Sequence, residues 1–161
     1  MAGRCNSHAL FHWQTCNLPA DVRWQHRADL HMTLHFLGQI DADRIDALLR
    51  LGAEVGKTAF PMVLDQIGFW PKPQVLWAGP SVTPTALSAL QIALGEGLRE
   101  LGVETDDRPF RPHVTLARRV RERPETEPLL PLAWDVERLA LVESRSGGAP
   151  VYHPIGEWPL E

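Results

Sequence analysis

The chain has 161 residues, 44% apolar and 22% charged, with a formal net charge of −4. That is the composition of a globular protein able to bury a core, so a disordered or fibrous chain is excluded. Sequence-blind adhesion along nucleic acid is excluded as well, because it needs many Lys and Arg to neutralise many phosphates, although a small phosphate site can still be locally basic.

No apolar run approaches the roughly 20 residues of a membrane span, and no secretory signal is evident. The expectation is one domain over residues 1–161, monomeric and cytoplasmic, with Cys5 and Cys16 as unpaired thiols of a reducing compartment. From Leu30 to Gly38 the chain alternates. Met32, Leu34 and Phe36 take one face and His31, Thr33 and His35 the other, the period of a half-buried strand. Asp41 opens a helical pattern over about Ala42 to Val55, with Ile45, Leu48, Leu49 and Val55 near helical spacing. Phe60 to Phe69 and Gln74 to Gly79 read as two strands of a hairpin turned by Pro71, Lys72 and Pro73.

Thr83 as N-cap and Pro84 at the first helical position introduce Leu87, Leu90, Leu94, Leu98 and Leu101, and Gly102 supplies the stop. His113 to Ala117 repeats the earlier alternation, with Val114 and Leu116 opposite His113 and Thr115. A Pro- and charge-rich loop, RERPETEPLLP, then leads to a strand over Val136 to Glu143, a Gly147-Gly148 turn, and closing strand residues Val151 to Trp158. Each half of the sequence thus holds a His-x-Thr strand followed by a strand pair.

Two such histidines suit transfer at phosphorus. An imidazole titrates near pH 6.5, so one neutral ring can take a proton from the attacking hydroxyl while a protonated one gives a proton to the departing oxygen. In-line attack wants these groups on opposite sides of the phosphorus, one from each half. Thr33 and Thr115, two residues on, share their histidine's face and can donate to phosphate oxygens. One His-x-Thr on a strand is an ordinary structural feature; two in the same alternation outweigh that reading.

Several arginines surround the second copy. Arg119, Arg121 and Arg123 are read as a solvated loop, whereas strict alternation turns Arg118 away from His113 unless the strand ends or twists there. His31 and His35 invite a metal reading, but no third ligand is suitably spaced and the zincin helix and Glu are absent, so no metal and no cofactor are expected. His8, His12, His26 and His153 read as surface or loop residues, and Trp70, Trp77, Trp134 and Trp158 as core or cleft-wall residues.

HMTLHFLG (31–38) and RPFRPHVTLAR (108–118) resemble the two signature motifs of the 2H phosphoesterases, in the branch called 2′-5′ RNA ligase or RNA 2′,3′-cyclic phosphodiesterase. VRW at 22–24, the second helix, LVES and VYHPIGEW fall where that family has them, so the likeness runs from about Val22 to the C-terminus. The resemblance implies an α+β fold: bilobal, two antiparallel sheets with flanking helices related by a pseudo-two-fold axis around a central cleft. It implies metal-independent hydrolysis of a terminal RNA 2′,3′-cyclic phosphate to a 2′-phosphate, with 2′-5′ ligation as the reverse sense of related chemistry. It makes His31 the proton donor and His113 the proton acceptor, and it gives Thr33, Thr115 and Arg118 the phosphate. The partners it implies are RNA ends or nucleotides bearing that cyclic phosphate.

Relatives begin with a strand and a full helix before the VRW segment. Here Ala9 to Trp13 is read as a shortened version of that strand, or else the strand is missing and its helix reduced; Phe11 is the candidate for a base contact made from the first strand. The competing reading is a non-catalytic module that binds nucleotides or RNA ends in the same cleft.

Overall fold

The computed structural model describes residues 2–4, 7–17, 22–56, 58–106 and 108–161. Cys5 lies outside them, as do the side chains of His8 and Cys16. Among the described residues no helix is long and apolar enough to cross a membrane.

The N-terminus differs from both expectations. A strand is present, β1 (Ala2–Arg4), and an 11-residue helix follows it, α1 (Ser7–Asn17). Ala9 to Trp13 is therefore helical: among the described side chains of α1, Leu10, Trp13 and Gln14 fall at i, i+3 and i+4 and are the buried ones. β1 carries no β-branched or aromatic residue. Pairing on both edges holds it, with β3 (His31–Thr33) on one side and β9 (Arg138–Ser144) on the other.

β3 is shorter than the alternation suggests. Leu34 is buried as expected, but Phe36 is 77% exposed and His35 is buried. After β3 a short 3-10 turn, Ala42–Arg44, leads into α2 (Ile45–Glu54). The run Phe60 to Phe69 is two strands rather than one: β4 (Phe60–Leu64) and β5 (Gln66–Trp70). Asp65 makes the corner between them, its carboxylate accepting from the Ser81 amide at 2.6 Å and the Ser81 hydroxyl at 2.5 Å. β5 forms the expected hairpin with β6 (Val75–Gly79), and Gln74 leaves the strand at φ +64° to complete the turn.

α3 (Thr85–Glu100) begins one residue later than its sequence implied, because Pro84 has an extended ψ of 138° and stands as N-cap. Its end is as expected. Gly102 adopts φ +66°, its N–H reaches Arg99 O at 2.9 Å, and Val103 N–H reaches Leu98 O at 2.9 Å, the paired bonds of a glycine-stopped helix. Leu87, Leu90, Leu94 and Leu98 are the buried stripe, set in one core with Leu48, Leu64 and Trp134.

After α3 come β7 (Val114–Arg118), the irregular loop, β8 (Leu132–Val136), β9 and β10 (Tyr152–Pro159). The result is an α+β fold with two antiparallel sheets. The larger has the order β10-β9-β1-β3-β7-β6-β5, with β2 (Arg23–Trp24) also on β7; the smaller pairs β4 with β8. The seam of the large sheet is the single bridge Met32↔Val114 between the two His-x-Thr segments. The hairpin that follows the first motif in sequence, β5-β6, extends the sheet beside β7, while the pair that follows the second, β9-β10, extends it beyond β1, which lies between β9 and β3. β7 is thus flanked by the strands that follow the first motif, and β3 is joined through β1 to those that follow the second.

Candidate active site

Met32 lies between His31 and Thr33, and Val114 between His113 and Thr115. Because β3 and β7 are antiparallel with Met32 opposite Val114, the register sets His31 across from Thr115 and Thr33 across from His113. The two histidines are diagonal neighbours on one face, a relation that separates backbones by about 7–8 Å and leaves room for a phosphate between two rings. A cavity of about 60 Å³ lies there, lined by Gln25, Asp29, His31, Thr33, His113, Thr115, Arg118 and Tyr152.

Both imidazoles are held alike. His31 Nδ1–H donates to Asp29 O at 2.6 Å, and His113 Nδ1–H donates to Arg111 O at 2.7 Å, in each case the carbonyl two residues upstream. A carbonyl only accepts, so the proton of the neutral ring is fixed on Nδ1 and Nε2 is left as the basic nitrogen. His31 Nε2 accepts from the Thr33 hydroxyl at 3.1 Å. Each ring also meets an aromatic edge to face: Tyr152 at 4.4 Å from His31 and Trp70 at 4.6 Å from His113, measured between ring centroids. Burial pushes both imidazoles below their ordinary pKa, partly countered by the carbonyl bond, and the positive charge of Arg118 adds to the depression.

Arg118 reaches the site through a bulge. The β6-β7 ladder passes from Leu76↔Ala117 to Trp77↔Thr115, which leaves Leu116 as an extra residue of β7. Leu116 and Ala117 are consecutively buried, the alternation slips by one, and Arg118 comes to the face of Thr115. The Leu116 carbonyl is satisfied from outside the ladder, by Gln25 N–H at 2.8 Å and by the buried Gln14 Nε2 at 2.6 Å.

The cavity opens into two grooves. One, of about 760 Å³, runs beside Asp29 and Tyr152 and includes Arg23, Trp24, His26, Arg118 and Arg145; the other, of about 580 Å³, runs beside His113 and includes Phe36, Trp70, Lys72, Arg108, Phe110 and Arg111. Arg118 lines both. Arg119, Arg121 and Arg123 are exposed and line neither.

His31, Thr33, His113, Thr115 and Arg118 are thus brought together. Phe11 is not: it sits on α1 rather than a strand, and it borders neither the cavity nor the grooves. His35 is no companion of His31, because its Nε2–H donates to Gln91 O of α3 at 2.8 Å. No three of His, Cys, Asp and Glu among the described residues are grouped to hold a metal ion. Of the tryptophans, Trp134 is core, Trp158 packs against it, and Trp70 and Trp77 form the wall beside His113.

Asp29, Tyr152, Gln25 and Gln14 had no signal of their own in the sequence. Only the two-residue offset of Asp29 from His31, matched by Arg111 and His113, was there to be noticed.

Comparison with known proteins gives a consistent answer. The model of the 2′-5′ RNA ligase superfamily matches residues 9–148. The RNA 2′,3′-cyclic phosphodiesterase of Escherichia coli (strain K12) is 31% identical over 155 residues, covering 94% of this chain and 88% of that protein. The protein of the same name from Thermus thermophilus is 34% identical over 148 residues, covering 81% and 72%. The crystal structure of E. coli LigT complexed with 3′-AMP superposes with a TM-score of 0.90 at 28% identity, covering 99% of this chain and 95% of that one.

Proposed function

The chain belongs to the 2′-5′ RNA ligase superfamily, and we propose that it is an RNA 2′,3′-cyclic phosphodiesterase that works by two-histidine acid and base catalysis. One observation carries this reading: two imidazoles with their Nδ1 protons tied to backbone carbonyls present Nε2 to one cavity, which Thr33, Thr115 and Arg118 also line.

The cyclic phosphate sits between the rings. Thr33, Thr115 and the Arg118 guanidinium bind its non-bridging oxygens, charge-assisted in the case of arginine. Water attacks phosphorus from the His113 side; its proton goes to His113 Nε2, the P–O3′ bond breaks, and His31 Nε2–H gives its proton to O3′. A 2′-phosphate and a free 3′ hydroxyl result. In the empty site both rings favour the neutral form, so His113 is ready as base and His31 gains its proton as the phosphate anion arrives. The same geometry with a 5′ hydroxyl in place of water gives a 2′-5′ linkage. Two grooves of nucleotide size leading from the cavity support an RNA end or a nucleotide as substrate.

The test is to incubate the protein with a 2′,3′-cyclic nucleotide, with and without EDTA, and identify the product isomer. A 2′-phosphate, formed equally in EDTA, is expected. A 3′-phosphate overturns the assignment of the leaving oxygen. Tight binding of a 2′-phosphonucleotide without turnover of the cyclic form overturns the enzyme in favour of a phosphate receptor.

A further inference from the structure

Each histidine has its own carbonyl and its own aromatic partner, and both aromatics stand in hairpin ladders. Trp70 closes the β5-β6 hairpin, where its ladder position opposite Val75 and its contact with Trp77 at 5.2 Å fix it. Tyr152 is the first residue of β10, just beyond the loop that leaves β9 at Ser144. Tyr152 stands opposite Ser144 in the β9-β10 ladder and Arg145 N–H donates to Val151 O at 2.8 Å, so backbone bonds close this hairpin too. One side chain then ties it to the segment that leads into β3. The Asp29 carboxylate, 2% exposed, accepts from Val151 N–H at 2.9 and 3.0 Å and from Tyr152 N–H at 3.0 Å. Asp29 precedes His31 by two residues and its own carbonyl takes the His31 Nδ1 proton. A buried carboxylate is costly unless its oxygens are bonded, and here three bonds to two amides more than 120 residues away satisfy it.

We propose that Asp29 is the positioning residue of the proton donor: its carboxylate straps the start of β10 across the cleft so that the Tyr152 ring packs on His31 and holds the imidazole at the angle its carbonyl bond begins to define. The carbonyl fixes one edge of the ring and the Thr33 hydroxyl meets Nε2 at 3.1 Å, a bond given up when that hydroxyl turns to phosphate; the Tyr152 ring at 4.4 Å then keeps the imidazole from rocking about the carbonyl bond. A reacting group misplaced by an ångström loses on the order of a hundredfold in rate, so the strap acts on the chemical step rather than on affinity. This role rests on the function proposed above only for the word donor; the strap itself is a statement about geometry.

The test uses the full chain with 2′,3′-cyclic AMP and the variants Asp29→Asn, Tyr152→Leu and Tyr152→Phe. Asn keeps one acceptor oxygen but loses the charge and sets an amide N–H against the Val151 N–H where the second oxygen accepted, which weakens the strap, while its backbone carbonyl still takes Nδ1–H. Asp29→Asn and Tyr152→Leu are expected to lower kcat by about tenfold or more and change KM by less than about threefold. They move the alkaline limb of the kcat profile, that of His31, and leave the acid limb of His113 in place. The double variant is no worse than the worse single, because both remove one contact. Tyr152→Phe keeps the ring and restores kcat.

A second readout needs no turnover. The His31 Cε1–H resonance loses the ring-current shift of Tyr152 in Asp29→Asn and in Tyr152→Leu and keeps it in Tyr152→Phe. Should Asp29→Asn fail to fold, the Tyr152 pair carries both readouts. An unchanged His31 resonance and kcat in Tyr152→Leu, or equal loss in Tyr152→Phe, overturns the strap. Absence of turnover in the unaltered chain overturns the function instead and leaves the resonance test standing.

Discussion

At the scale of single residues the site is governed by where protons sit. The backbone carbonyls of Asp29 and Arg111 fix both neutral tautomers, and burial favours the uncharged ring at each. The proposed mechanism makes two opposite demands, His113 neutral to accept and His31 protonated to donate. With both rings depressed, the free enzyme carries its donor and acceptor together only on the acid side of neutrality. The kcat/KM profile is accordingly a bell whose maximum lies below about pH 6.5. A bound phosphate anion favours imidazolium, so the alkaline limb of kcat is expected at higher pH than that of kcat/KM. Initial rates across pH 4 to 9 at low and at saturating cyclic nucleotide check this; coincident limbs contradict the assignment of His31 as donor.

At the scale of elements the bulge in β7 decides the most. A regular strand would carry Arg118 to the face opposite His113, and one additional residue at Leu116 brings it back. The bulge leaves a carbonyl that needs partners, and Gln14 on α1 supplies one by its amide at 2.6 Å. Gln14→Met keeps the volume and removes the donor. The expected result is about 1 kcal/mol less stability, the ordinary value of a lost hydrogen bond, and kcat/KM lowered severalfold to about tenfold. In an Arg118→Ala background the same substitution leaves kcat/KM unchanged, since its effect passes through that guanidinium. Steady-state kinetics on the four proteins and their melting temperatures measure both parts; full additivity of the two substitutions contradicts the link.

This also marks where the sequence stops being legible. His31, Thr33, His113 and Thr115 could be placed on one face because strict alternation is a local rule and holds over three residues in each motif. Arg118 could not, because a bulge shows itself only against a partner strand. The strand expected through Phe60 to Phe69 ran on for a related reason: the corner at Asp65 is set by Ser81, sixteen residues away. α3 was readable almost to the residue, since a leucine stripe, a proline before it and a glycine after it are each local signals.

At the scale of the whole molecule, three of the described histidines are wholly or partly buried on folding and have their pKa lowered by it: His31, His35 and His113. The sign of the consequence is fixed. A histidine depressed in the folded state binds fewer protons there than in the unfolded chain, so its contribution is fully present above the unfolded pKa of about 6.5 and is lost as pH falls through the folded value. The melting temperature is expected to decline below about pH 6.5. His35→Gln, which can still donate to the Gln91 carbonyl, is expected to flatten that decline without touching the catalytic cavity. Thermal unfolding between pH 4.5 and 8 decides it, and a melting temperature that rises on acidification contradicts the buried state of these rings.

The sequence by itself determined the local pieces: two His-x-Thr segments, the helix between them and the strand character of the rest follow from residue spacing, which acts over a few neighbouring positions. Tertiary structure alone decided how those pieces meet. β1 became a strand by pairing on two edges, each half's hairpin joined the sheet on the side of the other half's motif strand, Arg118 was turned inward by a bulge, and Asp29 reached the start of β10. The physical reason is common to all four. Each depends on hydrogen bonds or packing between residues far apart in the chain, and such partners leave no periodicity in the sequence for a local reading to find.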